Sequence, residues 1–292
     1  EKDYMPGKNE VVWVENRLNA PLEVKKAFQF LHSDDPRTKR DGEGYLPSDQ
    51  LYVFAPDSQK IMFKKARRFT RSEMMVMDML STNEWKRPIY FAVTIGNDYH
   101  LGLDPYLELT GLAYRITPER SADGRHRVNT EVMYDNMLHK FKYGNMNVPG
   151  IYIDENTMRM CRTHRMMFME LAEALYNEGK HDKCLEVLDF AEEMLPGYNI
   201  SYDYTSATMA VYYYQLGEIE KANAIMTKVA DNSVEYMAWG ASLPKEQRAS
   251  SQSTLQQQLA ILGYVLQNFE RYQQKELFNL YYDLYVQYAS VR

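Results

Sequence analysis

Nowhere in the 292 residues do about 18 apolar side chains run together, so no segment reads as a membrane-spanning helix. Cysteine is nearly absent. Cys161 and Cys184 are too few for a disulfide scaffold. On the two arms of a hairpin turning near Gly179 they would lie roughly 27 Å and about 7 Å from the turn, too far apart to bridge, and both are expected as small core residues. Positive charge is also short: 34 Lys and Arg stand against 40 Asp and Glu, a net −6. A nucleic-acid partner is excluded on that ground, because displacing counterions from phosphates takes a basic surface. The six histidines, at 32, 100, 126, 139, 164 and 181, form neither a zinc-ligand pair nor an HExxH. There is no glycine-rich phosphate loop and no GxSxG. Asp34-Asp35, Asp41-Gly42-Glu43-Gly44 and Gly96-Asn97-Asp98 lack calcium-loop spacing and are expected as solvated loops. No catalytic, cofactor-binding or metal residue is assigned, and no cofactor is expected. The opening Glu1-Lys2-Asp3, with neither Met nor an apolar signal segment, reads as the start of a piece excised from a longer polypeptide.

What is present is 45% hydrophobic residues, enough for a sizeable core, in a length suited to two domains. The expected class is α+β: a mixed α/β domain over residues 1–150, then an all-α helical-hairpin array over 151–292. In the first, Val11 to Val14, Leu51 to Phe54, Ile89 to Ile95 and Leu112 to Ile116 are β-prone runs. They alternate with helical patterns at Pro21 to His32, Ser72 to Leu80 and Thr130 to Phe141. Pro21 is expected in the first turn of its helix, Ser72 as the cap of the next, and Asp34 to Leu46 as a surface loop. Met74, Met75, Met77 and Met79 read as adaptable core.

In the second half, Phe168, Leu171, Ala172, Leu175 and Tyr176 follow i, i+3, i+4, i+7 and i+8, the stripe of a helix buried on one face. Gly179-Lys180-His181-Asp182 breaks the stripe, Leu185, Leu188 and Ala191 resume it, and Pro196-Gly197 stops it. Small residues at Ala172, Cys184 and Ala191 give the unit a tetratricopeptide pattern. It recurs through Met209-Ala210, Tyr213, Gly217, Ala222, Met226 and Val229. The turn glycines, Gly179 and Gly217, are 38 residues apart, against the usual period of about 34. A third copy runs through Leu259, Leu262-Gly263 and Leu266, with Tyr272 to Tyr288 as its second arm and Lys275 where a small residue is expected. Such a stack either holds a partner in a concave groove or buttresses the preceding domain. Tyr212, Tyr214, Tyr281 and Tyr285 are the candidate contact residues. Lys64, Lys65, Arg67, Arg68 and Arg71 form a basic cluster that could face anionic lipid, an acidic partner or solvent alone.

The words Asn83-Glu84-Trp85-Lys86-Arg87-Pro88-Ile89-Tyr90-Phe91-Ala92, Leu101-Gly102-Leu103-Asp104, Gly111-Leu112-Ala113-Tyr114-Arg115, Arg127-Val128-Asn129 and Met133-Tyr134-Asp135-Asn136 carry a resemblance. It continues through Lys140-Phe141, Gly144-Asn145-Met146-Asn147 and Leu171-Ala172-Glu173-Ala174-Leu175, and so spans about Tyr45 to Val229. The chain resembles the C-terminal soluble region of a bacterial family of polytopic membrane proteins, domain of unknown function 2723, grouped as glycosyltransferase family 117. The resemblance implies a parent with a bundle of membrane helices like that of protein O-mannosyltransferases, holding the catalytic acidic residue. It places this region on the periplasmic side of the cytoplasmic membrane. The function expected is that of a non-catalytic accessory domain that positions or recognises a protein or glycan acceptor. Its expected partners are a protein, the membrane-embedded part of its own parent, or an anionic membrane surface. The alternative is a tetratricopeptide-type scaffold unrelated to glycosylation, and an independent soluble enzyme ranks third for want of convergent acid, base or metal groups.

Overall fold

The computed structural model describes residues 11–290; Glu1-Lys2-Asp3 and the last two residues of the expected array lie outside them. The chain divides into two compact units, residues 1–129 and 130–292. Its class is α+β, with small sheets before a run of helices.

In the first unit, strands β1 (Val11–Trp13), β2 (Leu22–Glu23), β3 (Lys39–Arg40), β4 (Glu43–Gly44), β5 (Leu51–Phe54), β6 (Lys60–Met62) and β7 (Arg68–Thr70) surround helices α1 (Val24–His32) and α2 (Arg71–Asn83). Strands β8 (Tyr90–Ala92), β9 (Leu107–Leu109), β10 (Ala113–Ile116) and β11 (Arg127–Val128) follow. They form a four-stranded sheet in the order β11-β9-β10-β8, beside a three-stranded β2-β5-β6 sheet and the pairs β1-β7 and β3-β4. The four β-prone runs of the sequence are β1, β5, β8 and β10. Strands of two or three residues, such as β2, β9 and β11, are too short for period-2 alternation to register. Helix α1 begins at Val24 rather than at Pro21, which lies in the extended approach. Helix α2 is capped by Thr70 rather than Ser72, because Thr70 and Glu73 close a reciprocal capping box. The 34–46 loop contains the β3-β4 ribbon and ends on buried Tyr45 and Leu46. Of the methionines, Met74 and Met77 are buried and Met75 and Met79 exposed, as i, i+3 spacing requires for one inward face.

In the second unit, α3 (Thr130–Asp135) and a π-helical turn (Asn136–Lys140) precede α4 (Glu155–Asn177), α5 (His181–Met194), α6 (Tyr204–Gln215), α7 (Ile219–Ser242), α8 (Lys245–Arg271) and α9 (Lys275–Ala289). Residues 130–150 pack on the first hairpin. Glu131 takes Lys180 at 2.7 Å and Lys183 at 2.9 Å, and hydrogen bonds from these ammonium groups hold its carboxyl down at about 2. Tyr143 is ringed by His164, Phe168 and Phe190, and the Asn199 amide donates to the carbonyls of Met146 and Val148. The segment's own helical pattern ends at Phe141, and its attachment to the helices rests on pairings some twenty to fifty residues away.

The hairpin register matches the sequence reading. Leu171, Ala172, Leu175, Cys184, Leu188, Ala191, Ala210, Tyr213 and Ala222 are all buried. The three turns α4–α5, α6–α7 and α8–α9 share one geometry. Gly179, Gly217 and Gln273 each sit at positive φ, and the next residue's N–H reaches five residues back, from Lys180 to Leu175, Glu218 to Tyr213 and Gln274 to Phe269. That is the Schellman closure, and it satisfies carbonyls left over at each helix end. Cys161 and Cys184 are buried free thiols, and burial pushes Cys184 up to about 12.

A charged network lies under the first hairpin. Arg165, 1% exposed, donates to the carbonyls of Leu195 (3.0 Å), Ile200 (2.8 Å) and Ser201 (3.0 Å). The ring of Tyr202 lies 5.5 Å from its guanidinium, and the Tyr202 hydroxyl donates to Glu192. Burial raises Glu192 above its ordinary value of 4.5, opposed by the Tyr202 bond and the Arg165 charge. A carboxyl raised in the folded state contributes stability below its unfolded pKa, and that stability is lost as pH rises through the folded value. Glu192→Gln, which still accepts from Tyr202, is therefore expected to raise the thermal midpoint at neutral pH and flatten its decline from about pH 4.5 upward. A variant curve parallel to wild type would show that Glu192 does not contribute to that slope.

Candidate functional site

The second hairpin is uneven. Helix α6 has 12 residues whereas α7 has 24 and α8 has 27, so at 1.5 Å per residue α7 overruns α6 by about 18 Å. The overhanging ends of α7 and α8 pack together at Gly240, where a Cβ would fall 2.3 Å from a Leu255 methyl carbon. Beside them, the early part of α4 and the start of α6 form the other wall of a groove of about 910 Å³.

Its surface is set by helical phase. Ala222, Ile225, Met226, Val229, Ala230, Ser233, Met237 and Gly240 are the buried positions of α7. Asn232, Tyr236 and Trp239 lie one step off that stripe and line the groove with Tyr202 and Tyr204. Tyr204, Tyr236 and Trp239 are 50%, 50% and 48% exposed, large rings held in solvent by a rigid frame. Polar groups alternate with them. Gln257 and Arg162 are exposed on α8 and α4, while Asn232 is engaged on the Tyr202 carbonyl (3.0 Å) and Gln258 on Ser233 (3.1 Å). The engaged amides fix the wall, and the exposed groups are available to a ligand. Rings with hydrogen-bonding ends beside amides bind amphipathic chains well. Two carboxylates, Asp203 and Glu235, complete the lining.

The tyrosines singled out from the sequence lie elsewhere. Tyr214 (4% exposed) stacks on Tyr272 at 4.3 Å and donates to Asn223, and Tyr281 (4%) donates to Asp231 at 2.6 Å. These two belong to the core. Tyr212 is half-buried against Tyr176, and Tyr285 packs its ring against Gly263. Tyr236 and Trp239 were legible in principle, as aromatics out of phase with the core stripe on an overlong helix.

The basic cluster is unevenly engaged. Lys64 is half-buried, bound to Glu73 at 3.0 Å and to the Asp98 carbonyl, and Arg68 lies over the Trp13 ring at 5.8 Å. Lys65, Arg67 and Arg71 are exposed. The Leu101-Gly102-Leu103-Asp104 word is architectural: Leu101 and Leu103 are buried, and the Leu101 carbonyl accepts from the Lys64 N–H at 2.7 Å. Asp104 holds the Nδ1 of buried His100 at 2.9 Å.

Among the described residues no helix is long and apolar enough to cross a membrane. Residues 55–135 match a family model described as TMEM260-associated domain 2. No curated protein and no solved structure matches the chain.

Proposed function

We propose that this chain is the non-catalytic accessory domain of a membrane-embedded, glycosyltransferase-like parent, and that the groove of its helical array holds the acceptor, an extended polypeptide segment. The observation that carries this reading is the groove itself, with three half-exposed aromatic rings between amide side chains. The match to a domain associated with a membrane protein supports such a parent. The sequence resemblance to the protein O-mannosyltransferase-like family supports the acceptor role and an extracytoplasmic, periplasmic site.

Aromatic anchors in a recognition groove contribute roughly 2 kcal/mol each, about 30-fold in affinity. Tyr236→Ala with Trp239→Ala, in the parent in its native membrane, is therefore expected to lower acceptor glycosylation at least tenfold. The amount of parent should stay unchanged, because both side chains lie outside the core. A photo-crosslinker at Tyr236 should capture a glycosylated protein. Unaltered glycosylation in the double variant would refute the acceptor role of the groove.

A further inference from the structure

The first unit contains a second concave feature that the acceptor groove does not use. The register of the four-stranded sheet places Arg127 beside Glu108, Glu108 beside Arg115, and Arg115 beside Tyr90. The neighbouring Leu107, Leu109 and Ile116 are buried, so strand alternation sets this row on the outer face. The row borders a cleft of about 650 Å³, closed on another side by the loop Trp85 to Pro88. That loop is held at a backbone expense. Glu84 and Trp85 are consecutive left-handed residues at φ 48° and 60°, conformations that side-chain-bearing residues keep only where surrounding contacts impose them. The contacts are present: the Trp85 indole donates to the Phe54 carbonyl at 2.8 Å, and the Asn83 amide brackets the Arg87 backbone with bonds of 2.6 and 3.1 Å.

The loop thus fixes the backbone of Arg87 without satisfying its side chain. Among the described residues, neither Arg87 nor Arg115 has a carboxylate oxygen within 4.0 Å. Arg127 is partly engaged, donating to the Thr117 hydroxyl at 2.8 Å with Glu119 at 3.8 Å, and its Nε is buried with no partner. Lys86 is neutralised by Glu84 at 2.7 Å. Two carboxylates, Glu108 and Glu119, face three guanidinium groups, in a chain whose net charge is −6. A positive cleft on an acidic protein concentrates anions locally.

We propose that this cleft binds the phosphoryl group of a phosphorylated ligand, with Arg87, Arg115 and Arg127 as its donors. A carboxylate offers two oxygens in one plane and a single edge to a guanidinium fork, whereas a phosphoryl group offers three oxygens spread in three dimensions, which suits several forks at once. The cleft is also far larger than a lone anion, leaving room for the group that the phosphoryl is attached to. The Thr117 hydroxyl, already bonded to Arg127, holds that guanidinium in place.

The test is titration of the protein with inorganic pyrophosphate, inorganic phosphate and acetate, followed by calorimetry and by the thermal midpoint. Pyrophosphate should bind and raise the midpoint, phosphate should bind more weakly, and acetate should do neither. Arg87→Gln with Arg115→Gln should weaken pyrophosphate binding about 100-fold, since a charge-assisted contact is worth about tenfold or more. Lys65→Gln with Arg67→Gln, which removes the same charge outside the cleft, should leave it unchanged. Vesicles separate the sources. Co-sedimentation with phosphatidate-containing but not phosphatidylcholine vesicles, lost in the Arg87/Arg115 variant, assigns the phosphoryl group to a lipid headgroup; pyrophosphate binding without it assigns a soluble ligand. Equal responses to acetate and pyrophosphate, equal losses in the two double variants, or no binding of pyrophosphate would each overturn the proposal.

Discussion

Replacing Arg165 with leucine is expected to lower the stability of the helical unit by about 3–5 kcal/mol, the range found when one partner of a buried charged arrangement is removed. Two terms oppose each other. Burial penalises the Arg165 charge and pulls its pKa down, so removing the charge recovers solvation free energy. Against this, the carbonyls of Leu195 and Ile200, both residues buried, lose their donor, at about 1–3 kcal/mol apiece. Glu192 loses the cation that offsets its burial as well. The second set is larger, because leucine supplies no donor to carbonyls buried with a residue 1% exposed. In a unit of this size the thermal midpoint should fall by roughly 10 °C. Arg165→Lys should recover only part, since an ammonium is one point where the guanidinium fork reaches three carbonyls. A midpoint within about 2 °C of wild type for Arg165→Leu would contradict this account.

Ala172→Trp is expected to be nearly as damaging. Ala172 is fully buried on the face of α4 that meets α5, and its carbonyl accepts from the Cys184 thiol at 3.3 Å. An indole there must part the two helices or leave its rotamer, at a cost of about 3 kcal/mol or more. The denaturant midpoint in urea reads this directly. Met166→Trp is the matched control, because Met166 lies on the exposed side of the same helix and should shift stability by no more than about 0.5 kcal/mol. Equal effects at the two positions would mean that Ala172 does not set the helix spacing.

The helical array was legible because two signals coincide in it. The 3.6-residue stripe of Phe168, Leu171, Ala172 and Leu175 fixes the buried face, and glycines at the turns fix the length of each arm. Arg165 was written in the same stripe, four residues after Cys161 and three before Phe168, as a charge on an inward position. A single charged residue hardly disturbs an apolar period, so the stripe alone does not mark Arg165 as buried. The α/β unit was readable at four strands, β1, β5, β8 and β10, which lie in β-prone runs of four to seven residues. Its shorter strands are recruited by pairing with distant partners, as β11 is by β9, and no local pattern encodes such a partner. The same holds for the cleft. Arg87, Arg115 and Arg127 are scattered over forty residues of sequence and meet only because β8, β9, β10 and β11 form one sheet. The aromatic groove depends on helices α7 and α8 being longer than α6, a difference that marks where side chains stop being core.

The third turn has a consequence for cooperativity along the array. Its left-handed position carries Gln273 where the first two turns carry glycine, a penalty of about 1 kcal/mol, and α9 buries only Tyr281 fully. Stability in a linear array is the sum of repeat terms and nearest-neighbour couplings, so this hairpin is the weakest link and depends most on what its neighbour lends it. The groove is lined by Arg162 of α4 from the first hairpin, α6 and α7 from the second and α8 from the third. An occupant of the groove therefore acts as an added nearest-neighbour coupling, worth about 2.7 kcal/mol at a concentration one hundred times its Kd. Ligand saturation and the folding of the terminal repeat are in this way parts of a single equilibrium.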